Sequence, residues 1–367
     1  MNEETATKGD MMENSAAHLT RRKPKKPKKK WKKPLIIILS LLIVLGGIGF
    51  IYQKQLVVLA FNLFASGTVK EALDDSYKAA GDKDAPVVQH TDPFSLLLLG
   101  IDQRDNEPSR SDTIIYSVVR PEDNKVLLLS IPRDSYTEIV GRDVKSKINS
   151  AYAHGEAKMA MDTVEKLLEN KVDFYAAINF HGLKDIVDAV GGVELPIKKD
   201  IENKSKAHEK LFVQANKPIY NGEEALGYVR YREDSDFNRT MRHRIFLSSF
   251  MNRAMEVKNL TKIPDIIKIA GSNFTTNMKS DFIVNFAESL YMKDSIPTIS
   301  NYMLKGDGKM RSGTWYYDLS DEDLTYVRGM ITSWLDPNTT QLIEPESDDK
   351  KEGTESSTQD STTQTGN

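Results

Sequence analysis

The chain has 367 residues, 39% of them hydrophobic and 28% charged, enough for one large globular domain or two small ones with a sizeable core. It contains no cysteine, which excludes disulfide staples, thiolate metal sites and cysteine nucleophiles and is compatible with export. The net charge of −3 conceals an asymmetry: residues 1–33 hold 11 Lys/Arg against 4 Asp/Glu, leaving 39 against 49 elsewhere, so the globular part is acidic and unsuited to nucleic acid.

From Leu35 to Tyr52 the sequence carries no charge. A helix of that length spans about 27 Å at ~1.5 Å per residue, close to the hydrocarbon thickness of a bilayer. Gln53-Lys54-Gln55 follows it in place of a small-residue cleavage site, so we expect a retained signal-anchor over 34–54. The flank from Arg21 to Lys33 has ten basic residues in thirteen, which places residues 1–33 in the cytoplasm and everything after the anchor outside the cell membrane. The expected topology is single-pass, type II. Residues 55–92 read as a stalk punctuated by Gly81 and Pro86, and residues 337–367, rich in Ser, Thr, Glu and Gln, as a disordered acidic tail.

Between them, residues 93–336 alternate strands and helices. Ser95 to Ile101 is a short apolar run of the kind buried on both sheet faces. Thr113 to Arg120 and Lys125 to Ile131 flank a turn and predict a hairpin. Helices are predicted over Met159–Glu169, Gly182–Val190, from Asn221, from Asn238, and over Asp281–Met292 and Asp321–Trp334, with strands at Phe174–Phe180 and Val193–Ile197. The fold class is α/β, with a mixed central sheet covered by helices.

No G-x-S-x-G, Walker A loop or H-E-x-x-H occurs, and the six histidines are scattered. Arginine stands out instead. Asp102 lies just past a buried strand and Asp112 opens the next one; two such carboxylates either hold magnesium through oxygen ligands or cap loop N–H groups. Arg133, in Ser130–Asp134 (SIPRD), also follows an apolar strand, either at a site or in a surface ion pair. The third group is the strongest. Arg230 and Arg232 end one helix, and Arg239, Arg242 and His243 share a face at the start of the next. A helix start already favours anions, so cations there are unfavourable unless an anion is near. Arginine in particular suits bidentate recognition of phosphate oxygens. The alternative is a solvated basic face paired with Glu233, Asp234 and Asp236.

These residues resemble the LytR-CpsA-Psr family of cell-wall ligases, and within it the teichoic acid transferases. The resemblance runs through GID (Gly100 to Asp102), RSDT (Arg110 to Thr113), SIPRD, KINSAYAHG (Lys147 to Gly155), the stretches from Asn179 to Glu194 and from Asn221 to Asp234, and DFNRTMRHR (Asp236 to Arg244); WYYDLSDEDL after Gly313 is similar to the family's C-terminal end. It implies an αβα sandwich around an apolar pocket for a polyprenyl chain. It also implies a phosphotransferase moving an anionic glycopolymer from an undecaprenyl-pyrophosphate carrier to the C6 hydroxyl of peptidoglycan N-acetylmuramic acid. Arg133, Arg230, Arg232, Arg239, Arg242 and His243 would then hold the pyrophosphate, and Asp102 and Asp112 a magnesium ion, with Arg133 and both aspartates catalytic. His243 stands where many members carry Gln; an imidazole also hydrogen-bonds, but it takes up a proton near neutral pH, which would make activity pH-sensitive. The competing reading is a membrane-anchored protein without catalysis, either regulatory, which is disfavoured because the tail lacks a folded DNA-binding motif, or a binder of polyprenyl pyrophosphate that shows no metal-dependent turnover.

Overall fold

The computed structural model describes residues 52–64, 66–81, 85–102, 109–204, 210–231, 236–254, 256, 266, 268–269, 271–293 and 296–346. The expected basic tail, all but the last three residues of the expected anchor, Arg232 and residues 347–367 lie outside them. Among the described residues no single helix is long and apolar enough to cross a membrane, although Gln53–Leu63 and Ser66–Asp75, bent by 61°, pass that test together.

The central sheet has six strands in the order β10-β3-β2-β1-β6-β9, where β1 is Phe94–Asp102, β2 Arg110–Arg120, β3 Lys125–Ser130, β6 Phe174–Asn179, β9 Phe274–Thr276 and β10 Thr298–Met303. It is mixed: β1 runs parallel to β6 and β3 to β10, whereas β1–β2, β2–β3 and β6–β9 are antiparallel. The predicted hairpin is β2–β3, turning at Asn124 in a left-handed conformation (φ 52°).

Side chains alternate across this sheet as strand geometry requires. On one face Leu97, Leu99, Tyr116, Leu127, Leu129 and Tyr175 pack with Val164 and Leu168 of α3 (Ser150–Leu168) and with Val327, Ile331 and Trp334 of α8 (Asp321–Leu335). On the other, Phe94, Ile115, Leu128 and Phe174 meet Phe282 and Phe286 of α7 (Ser280–Met292) and Leu247 of α6 (Asp236–Ala254). Phe94 makes edge contacts with three of these rings at 5.2–5.7 Å. This covering of both faces explains why β1 reads as a continuous apolar run. A third cluster joins Val187 of α4 (Phe180–Ala189), Ala225 and Val229 of α5 (Gly222–Arg230) and Phe246 of α6.

The expected stalk differs from the fold. Its residues form α1 (Gln53–Phe64) and α2 (Ser66–Asp75), and α2 buries Val69 and Leu73 against Val284 of α7. Beyond it, Lys78 N–H donates to the Thr276 carbonyl at 2.8 Å, so the chain from Ser66 is tied to the domain. Only two apolar residues, four apart, carry that face, which is too weak a pattern to stand out in a polar segment. At the other end, residues 337–346 of the expected disordered tail are also docked: Trp334 Nε1 donates to the Ile343 carbonyl (3.0 Å) and Lys125 pairs with Glu344 (2.9 Å).

Two further hairpins frame the site. β4 (Tyr136–Ile139) pairs with β5 (Val144–Lys147), and β11 (Gly306–Arg311) with β12 (Thr314–Leu319). The expected strand Val193–Ile197 forms only an isolated bridge from Val193 to Tyr220; the regular pairing nearby is β7 (Ile201–Glu202) with β8 (Phe212–Val213). Helix α3 starts at Ser150, nine residues before the expected Met159, and is broken at Gly155–Glu156, which explains why the run from Met159 was the legible part.

Candidate active site

The register of β1 on β2 shifts between Gly100, opposite Thr113, and Ile101, opposite Ser111. Asp112 is the extra residue, and a bulge of this kind turns a side chain out of the regular alternation. Gly100 permits it: a Cβ there would sit 2.9 Å from Thr113 Cβ. Asp112 Oδ2 accepts from Arg133 Nη1 at 2.9 Å. Arg133 also faces Asp134 (3.5 Å), whose carboxylate pairs with Lys147 at 2.7 Å. The loop is held on two sides, since Asn149 N–H donates to the Arg133 carbonyl (3.2 Å) and Tyr317 N–H to the Asp134 carbonyl (2.9 Å).

The second arginine group comes from α5 and α6. Helix α5 begins with the expected capping box: Asn221 Oδ1 accepts from Glu224 N–H (3.0 Å), and Glu224 Oε2 from Asn221 N–H (3.1 Å). It ends on Arg230, whose guanidinium lies 4.6 Å from the centroid of the Phe180 ring. Helix α6 begins at Asp236, two residues before the expected Asn238. Arg239 and Arg242 are 8% and 5% exposed. Charges so buried need anionic or hydrogen-bonding company. Arg242 Nη2 donates to the Tyr231 carbonyl (2.6 Å) and its guanidinium stacks on the Tyr231 ring at 5.2 Å, which ties α5 to α6. His243 Nε2 lies 3.0 Å from the Val229 carbonyl; a carbonyl only accepts, so Nε2 carries a proton.

Two cavities open on these residues. The first, about 380 Å³, runs over the sheet face that carries Leu98, Ile115, Ala176 and Ile178, beneath Leu183 and Ile186 of α4 and Phe246 and Phe250 of α6; its polar residues are Asp112, Thr113, Asn179, Arg230, Arg239 and His243. The second, about 140 Å³, is lined by Ser130, Arg133, Asp134, Met303, Trp315 and Tyr317. Asp112, Thr113, Ile115, Arg239 and His243 line both, so the cavities meet where the charges gather. An apolar cavity with arginines in its lining is a place for an amphiphile with an anionic head.

The chain belongs to the LytR_cpsA_psr family. The family's model matches residues 61–330. The polyisoprenyl-teichoic acid–peptidoglycan teichoic acid transferase TagU of Bacillus cereus is 34% identical over 314 residues, covering 82% of this chain and 96% of that protein. Among solved structures, Bacillus subtilis TagV superposes with a TM-score of 0.59 at 29% identity, over 67% of this chain and 98% of the other. TagT bound to LIIa-WTA gives 0.56 at 26% identity, over 69% and 97%. The mixed-sheet α/β fold of LytR_cpsA_psr structures is thereby present in this chain.

Of the residues singled out in the sequence, Asp112, Arg133, Arg230, Arg239 and His243 line one cavity or both. Arg242 lies outside both linings, turned to Tyr231, and Asp102 is the last residue of β1, opposite Arg110, also outside them. Among the described residues no three His, Asp or Glu side chains surround a common point; Asp112, which lines both cavities, carries the hard oxygen donors that magnesium prefers. Ser130, Asp134, Lys147, Trp315 and Tyr317 were not assigned site roles from the sequence. Lys147 and Trp315 do open two of the family-like segments, but only the folded loops bring them beside Arg133.

Proposed function

We propose that this protein is a phosphotransferase that moves an anionic glycopolymer, with its proximal phosphate, from an undecaprenyl-pyrophosphate carrier to the C6 hydroxyl of a muramic acid in peptidoglycan. The observation that carries this reading is the junction of an apolar cavity with an arginine-rich polar one. The polyprenyl chain lies in the first cavity, and Arg230, Arg239 and Arg133 hold the pyrophosphate. The acceptor oxygen forms a bond to the glycopolymer's phosphorus as the bridging P–O bond breaks; polyprenyl phosphate leaves, and the hydroxyl proton passes to a carboxylate of the second cavity, Asp112 or Asp134. Such a transfer depends on positioning and charge neutralisation, which fits a site without a Ser or Cys nucleophile. Magnesium, held by Asp112 with Asp102 from the neighbouring strand, would supply further neutralisation of the pyrophosphate. Arg232 and Arg242 complete the cationic set in this reading, Arg242 by fixing the turn that presents Arg230.

The wider expectation is a type II protein of the cell membrane, with 34–54 as its anchor and the active domain on the wall side. Donor and enzyme would then meet in the plane of one bilayer. The test is a ligation assay with a defined lipid-linked donor and nascent peptidoglycan, with and without magnesium. Arg133→Ala and Arg230→Ala should each lower the rate about 10²–10³-fold, the scale for removing one charge-stabilising donor, while circular dichroism shows an unchanged fold. Full activity in both variants would refute the assignment.

A further inference from the structure

We infer that the second cavity is the subsite for the acceptor sugar, with Trp315 as its stacking platform. The inference rests on the transfer reading above and adds where the hydroxyl-bearing glycan sits. Displacement at phosphorus places the entering and leaving oxygens roughly in line. The leaving polyprenyl phosphate occupies the apolar cavity, so the entering hydroxyl approaches from the opposite side of the shared residues Asp112 and Arg239. The second cavity adjoins the first through those residues and is the polar space next to them that the polyprenyl chain does not fill.

Its walls suit a pyranose. Trp315 and Tyr317 stand two apart on β12, on one face of the hairpin, with ring centroids 6.3 Å apart. Trp315 is 40% exposed yet lines the cavity. Its indole lies across the hairpin over Gly308, where a Cβ would come within 2.9 Å of Trp315 Nε1. The C–H face of a sugar ring is apolar and weakly positive, complementary to the negative face of an indole. A second observation points to a polar ligand. Ser130 is 6% exposed, lies on the cavity face of β3, and its hydroxyl has no hydrogen-bond partner among the described residues. A buried hydroxyl left so is unfavourable unless a ligand satisfies it. A sugar hydroxyl offers both donor and acceptor.

The test uses the full-length protein in detergent, with indole-labelled tryptophan and the N-acetylglucosaminyl-N-acetylmuramic acid disaccharide as probe. Of the three tryptophans, Trp31, Trp315 and Trp334, the Trp315 resonance should shift on titration without donor. Trp315→Ala should weaken disaccharide binding and raise the acceptor KM about tenfold, as for loss of one well-packed aromatic contact, with donor affinity within twofold. Trp315→Phe should recover most of it, and Ser130→Ala should lose a smaller part. An unmoved Trp315 resonance, or an acceptor KM unchanged in Trp315→Ala, would overturn the inference. So would a lipid-linked donor that shifts Trp315 and displaces the disaccharide, because the subsite would then hold the donor's own sugar. Disaccharide binding through Trp315 in a chain that transfers nothing would support the sugar subsite and refute the transfer reading, so the two failures are distinct.

Discussion

At the scale of single residues, the arginines divide by what they touch. Arg133 and Arg239 open onto cavities, whereas Arg242 holds the Tyr231 carbonyl and ring. Arg239→Ala should therefore abolish transfer. Arg242→Ala should also destabilise, by about 1.5–3 kcal/mol for a lost charge-assisted hydrogen bond, measured by thermal denaturation. Asp112→Asn removes the charge that fixes Arg133 at 2.9 Å, so its loss of activity should exceed that of Asp102→Asn, whose residue lies outside both linings. Equal losses would show that the contact with Arg133 adds nothing to the metal-binding role proposed for both aspartates. The sequence supplied the residue types, because arginine at a helix start is electrostatically odd without an anion. It did not tell Arg239 from Arg242, since three positions on one helix face look alike until the neighbouring turn is in place.

At the scale of elements, the decisive feature is the bulge in β2. Gly100→Ala places a Cβ 2.9 Å from Thr113 Cβ, which cannot be relieved without shifting the strand that presents Asp112. The expected result is a destabilisation of about 1–3 kcal/mol, as for overpacking, together with loss of transfer; a variant with full activity would show that the bulge does not set the site. Local rules were read well where they are self-contained. The Asn221–Glu224 capping box forms as its spacing indicates, and the two apolar runs form the β2–β3 hairpin. They were read less well at the start of α6, where Asn238 has cap chemistry but the helix begins at Asp236. A one-residue bulge leaves no mark in composition, so it was invisible.

At the scale of the whole molecule, the two faces of the sheet have different tasks: one packs against α3 and α8, and the other opens beneath α4 and α6 into the apolar cavity. The side under α3 and α8 carries buried phenols. Tyr116 and Tyr302 are shifted upward, chiefly by burial, and Tyr175 is pushed up to about 12 for the same reason. In the folded state these groups keep their protons above the point where unfolded tyrosines lose them. Their contribution is therefore whole below about pH 10 and is lost as pH rises from there through the folded values. The melting temperature should fall steeply above about pH 10, and less steeply in Tyr175→Phe, between about pH 10 and 12. Arg120 ties the end of α8 to the sheet, donating to the carbonyls of Trp334 (2.7 Å) and Asp336 (2.8 Å), an arrangement no periodicity reports. By itself the sequence determined the α/β class and the order of the main elements, because these follow from local periodicity and capping, and it indicated the family through motifs standing in order along the chain. Only the tertiary structure decided that residues 66–78 belong to the domain, that Arg239 and His243 stand where two cavities meet, and that Trp315 lines the cavity of Arg133, because these depend on contacts between segments up to about two hundred residues apart, which local pattern does not encode.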